Sequence, residues 1–469
     1  MTSISGKTTL DWVAFADALA PIETLSEAPF VKKRSRDCFW YSPILDAELK
    51  KSFGDLVVLP KDTDELRRCL QAAYSAECPV VIRGGGTGNY GQAVPVEGGL
   101  IVDVTNMNQI LEIGDGYVRV QAGAIMADIN SALKETGQEM TMFPSTYEIA
   151  TIGGFVAGGS VGIGSLANGA LREPGNLIAL KAMSVEGLPI EQEFTGPDVL
   201  KIHHAWGLNG VITEVTLRTV PAKNWVACMA TCPSYQQTYA TGYALATAEN
   251  MGPKMVSVVE ARITDYFPRL EGHITKGQHL LVAYVPDDEV DAYRSLMQEQ
   301  GLKVELTLTD EERIAAKIPH AFEFSFNHTT LQVLKSDRSA TYQQIGVPDP
   351  ADAAAIGKLH AEIGDDVWIH NEFYRLGGEV VAIDLPIIWY KDEARLQEIN
   401  ETYLAHGFGV YDAHSNQVER GGLHSADYTH LAWKKRLDPK GLLNSAKSIA
   451  WDMVKHLTPE EIEQKSVAK

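Results

Sequence analysis

The stretch Val80-Val81-Ile82-Arg83-Gly84-Gly85-Gly86-Thr87-Gly88-Asn89-Tyr90-Gly91-Gln92 decides how the rest of the chain is read. A short apolar strand runs straight into a loop with five glycines in eight residues. Glycine lacks Cβ, so such a loop can take φ > 0 and bring backbone N–H groups close to a ligand. Successive N–H groups in turn conformations form a concave anion site. The stretch reads as a diphosphate cradle, set against the alternative of a loose Gly-rich turn. What precedes it narrows the choice. Val57-Val58-Leu59 is a strand, Asp62 and Glu65 are spaced as a capping box, and Leu66, Leu70, Ala73 and Tyr74 recur at helical spacing. Pro79 then opens the second strand, 80–82. A Rossmann site places its glycines after the first strand and opens a helix with them. Here they follow the second strand, and Pro95 and Gly98-Gly99 exclude a helix next, so a Rossmann site is set aside.

Further along, strands are expected over 100–104 and 117–122, with a turn at Gly114-Asp115-Gly116 between them. An amphipathic helix is marked by Ile125, Ile129, Ala132 and Leu133 and stops at Gly137. A second Gly-dense stretch follows: Phe143-Pro144-Ser145, Thr151-Ile152-Gly153-Gly154, Gly158-Gly159-Ser160, then Gly162, Gly164 and Gly169. Thr151 to Gly154 is read as a helix start that turns free N–H groups toward a phosphate. The alternative is that these small residues let segments pack closely. A strand over 177–185 and a β-rich run over 211–220, closed by Pro221, complete this half.

The chain has 469 residues, with 45% apolar and 22% charged residues, which suggests two or three domains with a sizeable core. Residues 1–47 read as a wrapping arm with little functional content, carrying a helical patch over 10–19. Residues 48–222 form the loop-bearing domain, 223–425 a second domain, and 426–469 a closing segment. After 223 glycines thin out. Strands are expected over 255–262, 279–285, 303–308, 380–383 and 408–411, and helices over 287–301 and 391–405, as in an antiparallel α+β sheet with helices on one face. The net charge of −20 argues against nucleic acid, whose binding rests on Lys and Arg. Cys38, Cys69, Cys78, Cys228 and Cys232 form no disulfide framework or zinc set, so reduced thiols in a cytoplasm are expected. No run of eighteen apolar residues predicts a membrane span.

Taken together, Arg83-Gly84-Gly85-Gly86-Thr87 with Gly91-Gln92, Ile152-Gly153-Gly154, and Gly210-Val211-Ile212-Thr213-Glu214 resemble the FAD-binding domain of the vanillyl-alcohol oxidase / p-cresol methylhydroxylase (PCMH-type) flavoproteins. The nearest branch is that of the D-2-hydroxyacid dehydrogenases and glycolate oxidases. Residues 437–447, Leu437-Asp438-Pro439 through Asn444-Ser445-Ala446-Lys447, resemble the family's closing motif. The resemblance implies an α+β fold: a two-subdomain FAD-binding domain and an antiparallel-sheet α+β cap that holds the substrate. It implies FAD with its pyrophosphate on Arg83, Gly84, Gly85, Gly86, Thr87 and Gly88, and with Gln92 near the flavin. Pro144, Ser145, Thr151, Gly153 and Gly154 would line the second side, Ile212 would reach the adenine through its backbone, and Asn444 and Lys447 would end beside the flavin. Residues 84–88 hold no His or Cys, so non-covalent FAD is expected. The branch's His-Gly-Asp-Gly-Asn-like metal segment is absent from the sequence; Ile369-His370-Asn371-Glu372 and Glu419-Arg420-Gly421-Gly422 only loosely resemble its motifs, and no metal is expected.

Oxidising an alcohol or hydroxyacid moves a hydride to the flavin and a proton to a base such as His, Glu or Tyr. Two clusters offer one. In His370-Asn371-Glu372-Phe373-Tyr374-Arg375, period-two alternation puts His370, Glu372 and Tyr374 on one face and Arg375 on the other. The second cluster is Tyr411-Asp412-Ala413-His414 with Glu419, Arg420 and His424. Arg375 and Arg420 suit a substrate carboxylate, or ordinary ion pairs with Glu372 and Glu419. Lys447 suits the reduced, anionic ring, Arg172 is a weaker candidate nearby, and His203-His204 read as surface helix residues. The function expected is hydride transfer from an alcohol or 2-hydroxyacid carbon of a small molecule to FAD. The electron acceptor is dioxygen, a quinone or a redox protein, and a homodimer is one option. The alternatives are an aromatic, amine or aldehyde substrate, or an FAD-binding subunit of a larger redox complex.

Overall fold

In the computed structural model, which describes residues 3–421 and 426–467, the strand–helix–strand unit around the Gly loop is formed by Leu56–Leu59, Thr63–Ser75 and Val80–Arg83. Asp62 caps the helix by accepting the Glu65 N–H at 2.8 Å, while the Glu65 carboxylate reaches Lys61 N–H rather than Asp62, so the box is closed one residue early. Val80–Arg83 and Leu56–Leu59 both pair in parallel with Leu100–Asp103, and Glu23–Leu25 from the arm adds an antiparallel edge. All four residues of Leu56–Leu59 and of Leu100–Asp103 are buried, as strands covered on both faces must be.

A second, antiparallel sheet runs Ile110–Gly114, Tyr117–Gln121, Val211–Pro221, Leu177–Met183, Glu191–Thr195, with Gln138–Met140 on the far end of Val211–Pro221. A third sheet has eight strands in the order Lys303–Leu308, Trp225–Cys232, His279–Pro286, Met255–Val259, His370–Leu376, Glu379–Asp384, Gln344–Gly346, Gly409–Tyr411, every pair antiparallel. Its strands alternate between two cores. Cys228, Val256, Leu281 and Phe373 face the helices Tyr235–Thr247, Val290–Glu299, Ala353–Ile363 and Glu393–Ala405. Met229, Met255 and Val282 face the other way, into the core that also holds Val120, Ile152 and Val215 of the loop-bearing half. The cap sheet is therefore helix-covered on one face and joined to the loop-bearing half through the other.

Two segments tie the halves together. The closing segment returns to the free edge of Val80–Arg83, where Leu442 O accepts Val80 N–H at 2.9 Å and Asn444 N–H donates to Val80 O at 2.7 Å. Asp438, fully buried, shapes that turn by accepting Leu442 N–H and Leu443 N–H, and Lys434 Nζ neutralises it at 2.8 Å. The arm supplies the other tie. Its helices Trp12–Ala18 and Ala28–Arg34 lead to Phe39–Tyr41 and to Pro43–Leu49, which Ser42 caps through Leu45 N–H.

Candidate cofactor and active site

The loop after Val80–Arg83 is held from below. A Cβ on Gly84 would land on Thr151 Oγ1, one on Gly85 on Ile149 O, and one on Gly86 on the Arg83 guanidinium; Gly86 also has φ +67°. Only glycine tolerates these approaches together with that backbone angle. Arg83 itself is buried beneath the loop and donates to Arg36 O. Among the described residues, no acceptor takes the backbone N–H groups of residues 84–92. Asn89 and Gly91 are buried and the other seven residues are part-exposed, so these donors face a space open to water or a ligand. Nine consecutive unpaired N–H groups over a floor fixed by glycine fit an anionic, extended ligand, and a diphosphate answers that description. Two orphaned side-chain atoms stand at the end of the loop, Gln92 Oε1 and Asn444 Oδ1. Asn444 Nδ2 donates to Gln92 O at 2.9 Å and to Trp206 O at 2.6 Å, which places the closing segment against the loop.

The second Gly-rich stretch behaves differently, and one expectation is corrected. A helix, Ile152–Gly158, does begin after Thr151, but its first N–H groups are not free. Ile152 donates to Ala124 O, Gly153 to Ala122 O and Gly154 to Thr151 Oγ1. Ile152 and Gly153 thus lock this stretch to the antiparallel half, Thr151 caps the helix through Gly154 N–H, and these helix-end donors are already taken. Gly162 and Gly164 likewise donate to Ser165 Oγ and Lys254 O. Pro144 and Ser145 sit beside this lock, following Phe143, which exchanges both backbone hydrogen bonds with Ile163. Ile212 is buried next to a bulge of Val211–Pro221, opposite Ala182.

The arm, expected to carry little function, is corrected most. Cys38 N–H donates to Gly88 O at 2.8 Å, and Asp37 accepts Phe39 N–H at 3.0 Å and Ala93 N–H at 3.2 Å. Burial beside Asp37 pushes the Cys38 thiol up to about 11, so it stays protonated. Lys447, buried, donates to Gly91 O at 2.7 Å. Ser42 Oγ lies 2.8 Å from Nδ1 of His414, whose Nε2 is buried and unpartnered. Burial pushes His414 down to about 4 although Asp412 pulls it up, so the ring is neutral at ordinary pH. Tyr342, from the small sheet of Ala340–Tyr342, Ile387–Trp389 and Val367–Trp368, receives Asn89 Nδ2 on its hydroxyl at 3.1 Å and stands edge-on to Tyr41. Tyr90 stacks on Trp206, with ring centroids 5.5 Å apart. Asn89, Tyr90, Trp206, Tyr342 and Ser42 were not singled out from the sequence. The aromatic run Phe39-Trp40-Tyr41 next to Ser42-Pro43, in the segment read as a wrapping arm, was the available signal.

The other candidates scatter. His370 and Glu372 do share a face with Tyr374, but both are sealed with 0% exposure. His370 Nε2 meets Glu372 Oε1 at 2.7 Å, and Glu372 also accepts Ser257 Oγ and Phe326 N–H, under the helix Phe326–Ser336. Tyr374 is half-buried, and burial pushes its hydroxyl up to about 12. Arg375 donates to Leu166 O and Gly378 O rather than to Glu372, and Arg420 is exposed on the short helix Val418–Gly421. Arg172 is exposed, and His424 lies outside the described residues. His203 is buried, with Nδ1 2.8 Å from Val156 O, and burial pushes it down to about 3; neither it nor His204 lies on a surface helix. Among the described residues no three His, Cys, Asp or Glu side chains converge as a metal site requires. A cavity of about 470 Å³, lined by Tyr235, Glu260, His279 and His360 among others, opens on the helix-covered side of the cap and includes no residue of the loop.

A glycine-floored row of unpaired N–H donors beside a parallel and an antiparallel sheet is the kind of site that takes an extended anionic ligand such as a dinucleotide. More particularly, residues 54–190, which include both Gly-rich stretches up to the strand Leu177–Met183, match the FAD binding domain family model. It is similar to the glycolate oxidase subunit GlcD of Bacillus subtilis (strain 168), 33% identical over 180 residues, a match covering 36% of this chain and 38% of that subunit. It is also similar to the D-lactate dehydrogenase of Archaeoglobus fulgidus, 24% identical over 421 residues and covering 84% of this chain and 91% of that enzyme, so this likeness includes the cap. In fold it matches alkyldihydroxyacetonephosphate synthase with a TM-score of 0.69 over 93% of this chain and 86% of that one, at 15% identity.

Proposed function

We propose that the chain is an FAD-dependent oxidoreductase that oxidises a CH–OH group of a small molecule, a 2-hydroxyacid or a related alcohol. The observation that carries the cofactor reading is the row of unpaired N–H groups over residues 84–92. The substrate class is supported by the D-lactate dehydrogenase likeness, which runs through the cap as well as the FAD half.

In this reading residues 84–88 hold the diphosphate, with Arg83 as the floor of the loop, while Gln92, whose Oε1 lies beside Gly88, and Asn444 keep unpartnered oxygens next to it. FAD, when bound, supplies the two-electron acceptor for the hydride that leaves the substrate carbon. The chain's own part is the proton. His414 is the base we favour: it is neutral, Ser42 Oγ meets Nδ1, the Tyr342 backbone lies beside the ring, and Nε2 makes no hydrogen bond among the described residues. With Nδ1–H directed at Ser42 Oγ, Nε2 carries the lone pair that accepts the hydroxyl proton. Asn89 and Tyr342 fix the loop against the cap so that this geometry persists. His370 and Glu372 are assigned to cap stability, Tyr374 to the inner face of the cap, and Arg375 and Arg420 to neither chemistry nor substrate charge.

Non-covalent attachment belongs to the same reading. No His or Cys stands in residues 84–88, and Cys38, whose backbone touches the loop, holds a protonated thiol. The test is direct. Purified protein should show a flavin spectrum, and acid precipitation should leave the yellow colour in solution. Anaerobic addition of D-lactate, glycolate and simple alcohols should bleach it with at least one of them, and re-oxidation in air tells dioxygen from another acceptor. A protein that takes up no FAD would refute the assignment.

A further inference from the structure

Behind the Gly loop lie two buried ionisable groups, Asp37 and Lys447, each bonded to the loop backbone and neither used by the proposed chemistry. Lys447 is fully buried, yet Gly91 O is the one acceptor found among the described residues for its three N–H groups. Lys434, the other fully buried lysine, has Leu208 O, Leu443 O and the Asp438 carboxylate. A buried ammonium that lacks such partners needs negative charge nearby. Asp37, from the arm, is 5% exposed and grips the same loop two residues further on, through Ala93 N–H.

We propose that Asp37 is a positioning residue for the flavin: it anchors the loop to the arm and acts through Lys447 to set the charge behind the flavin end of the loop. This rests on reading the loop as an FAD site. The groups facing the pair are few. Asp37 feels Lys447 and Arg83, and Cys38 lies beside it; Lys447 feels Asp37 and Glu48; Glu48 in turn faces Glu393 and Asp412; Arg83 faces Asp103 and Arg34. Burial pushes the Asp37 carboxyl up to about 6 and the Lys447 ammonium down to about 8. Between these values Asp37 is a carboxylate and Lys447 an ammonium, with Glu48 and Arg83 nearby. Below about 6 the Asp37 carboxyl takes up a proton and Lys447 loses that one neighbouring negative charge. The gain in local positive charge favours the reduced, anionic ring, so acid should raise the midpoint potential beyond the trend set by the flavin itself.

The experiment follows the midpoint potential of the bound flavin from pH 5 to 9 by dye equilibration in wild type and Asp37→Asn, after FAD binding has been established by absorbance. Asp37→Asn should lose the break near pH 6, lie above wild type at pH 7 and coincide with it at pH 5. A purely structural role for Asp37 would change FAD affinity without moving the break. Should Asp37→Asn not fold, Asp37→Ser keeps an acceptor for Ala93 N–H and serves instead. If wild type binds FAD and the two curves coincide at every pH, the inference falls and the FAD reading stands. If wild type binds no FAD, both fall.

Discussion

The two Gly-rich stretches look alike in composition and do opposite things. In residues 84–92 the glycines let the loop lie on Thr151, Ile149 and Arg83 while its N–H groups stay unpaired. In residues 151–164 the glycines admit backbone to backbone, and the N–H groups of Ile152, Gly153, Gly154, Gly162 and Gly164 are taken up by protein acceptors. The first stretch is a receptor and the second is its foundation. Glycine density alone marks where backbone comes close to something; whether that is a ligand or another strand depends on where the N–H groups go.

The largest effects should come from substituting one glycine in each stretch. Gly85→Val places methyl groups against Ile149 O, so the loop must lift. Overpacking of this kind costs about 1–3 kcal/mol, and because it distorts the cradle itself, the FAD dissociation constant should rise on the order of a hundredfold. Gly153→Ala puts a Cβ 2.6 Å from Ala122 Cβ. That clash should lower Tm by several degrees while the folded protein binds FAD within about threefold of wild type. If Gly153→Ala weakens FAD as much as Gly85→Val does, the distinction between receptor and foundation is wrong.

This distinction is also where sequence reading stopped. The strand entering the loop, the helix before it and the second Gly run were legible because glycine and β-branched residues act locally. The capping residue Asp62 and the stop at Gly137, with φ +72°, are local in the same way. The partner of Gly153 N–H was not legible, since Ala122 lies about thirty residues away, whereas Gly154 N–H donates to the local cap Thr151 Oγ1. The arm was missed for a related reason. Asp37, Ser42 and Tyr41 meet Ala93, His414 and Tyr342 across separations of up to 372 residues, and no short-range pattern encodes such pairings. Alternation did place His370 and Glu372 on one face, but it does not say that Phe326–Ser336 covers that face.

The two histidine clusters sharpen the same contrast, one held by the arm through Ser42 and one sealed inside the cap. His414→Asn should slow flavin reduction by the bleaching substrate about a hundredfold or more, the usual cost of losing a general base, with FAD affinity little changed. His370→Gln should leave that rate within about threefold and reduce stability by roughly 1–3 kcal/mol, because the Glu372 carboxylate loses a buried partner. Stopped-flow reduction and denaturant titration separate the two. A rate loss in His370→Gln equal to that in His414→Asn would return the sealed cluster to the mechanism.

Acid should weaken the foundation before the receptor. His203 packs on Val156 O, and burial holds it near 3 against an ordinary 6.5, while His204 is held near 4. Folded pKa values below the unfolded ones mean that the unfolded chain binds more protons between about 6.5 and these values. Stability is therefore full above 6.5 and is lost as pH falls. By pH 5 the loss should be on the order of 2 kcal/mol per histidine. Asp37 opposes this, because its raised pKa lets the folded chain hold an extra proton between about 4 and 6. Denaturant midpoints at pH 7 and pH 5 should differ less in His203→Asn than in wild type; an equal or larger difference would contradict the buried, neutral assignment.

The smallest expected effect tests how the cap helps hold the receptor open. Tyr342→Phe removes the hydroxyl that accepts Asn89 Nδ2 at 3.1 Å and leaves the aromatic contact with Tyr41 in place. Asn89 is 8% exposed, so water replaces that acceptor poorly. An unsatisfied buried donor costs about 1–3 kcal/mol, partly recovered as the loop relaxes, so FAD should bind about fivefold more weakly. Tm should change little, because the hydroxyl contacts the loop rather than the foundation. FAD fluorescence titration of both proteins decides it. Unchanged affinity would mean that the loop holds its shape on the Arg83, Thr151 and Ile149 floor alone, and that the cap contributes substrate contacts without shaping the cofactor site.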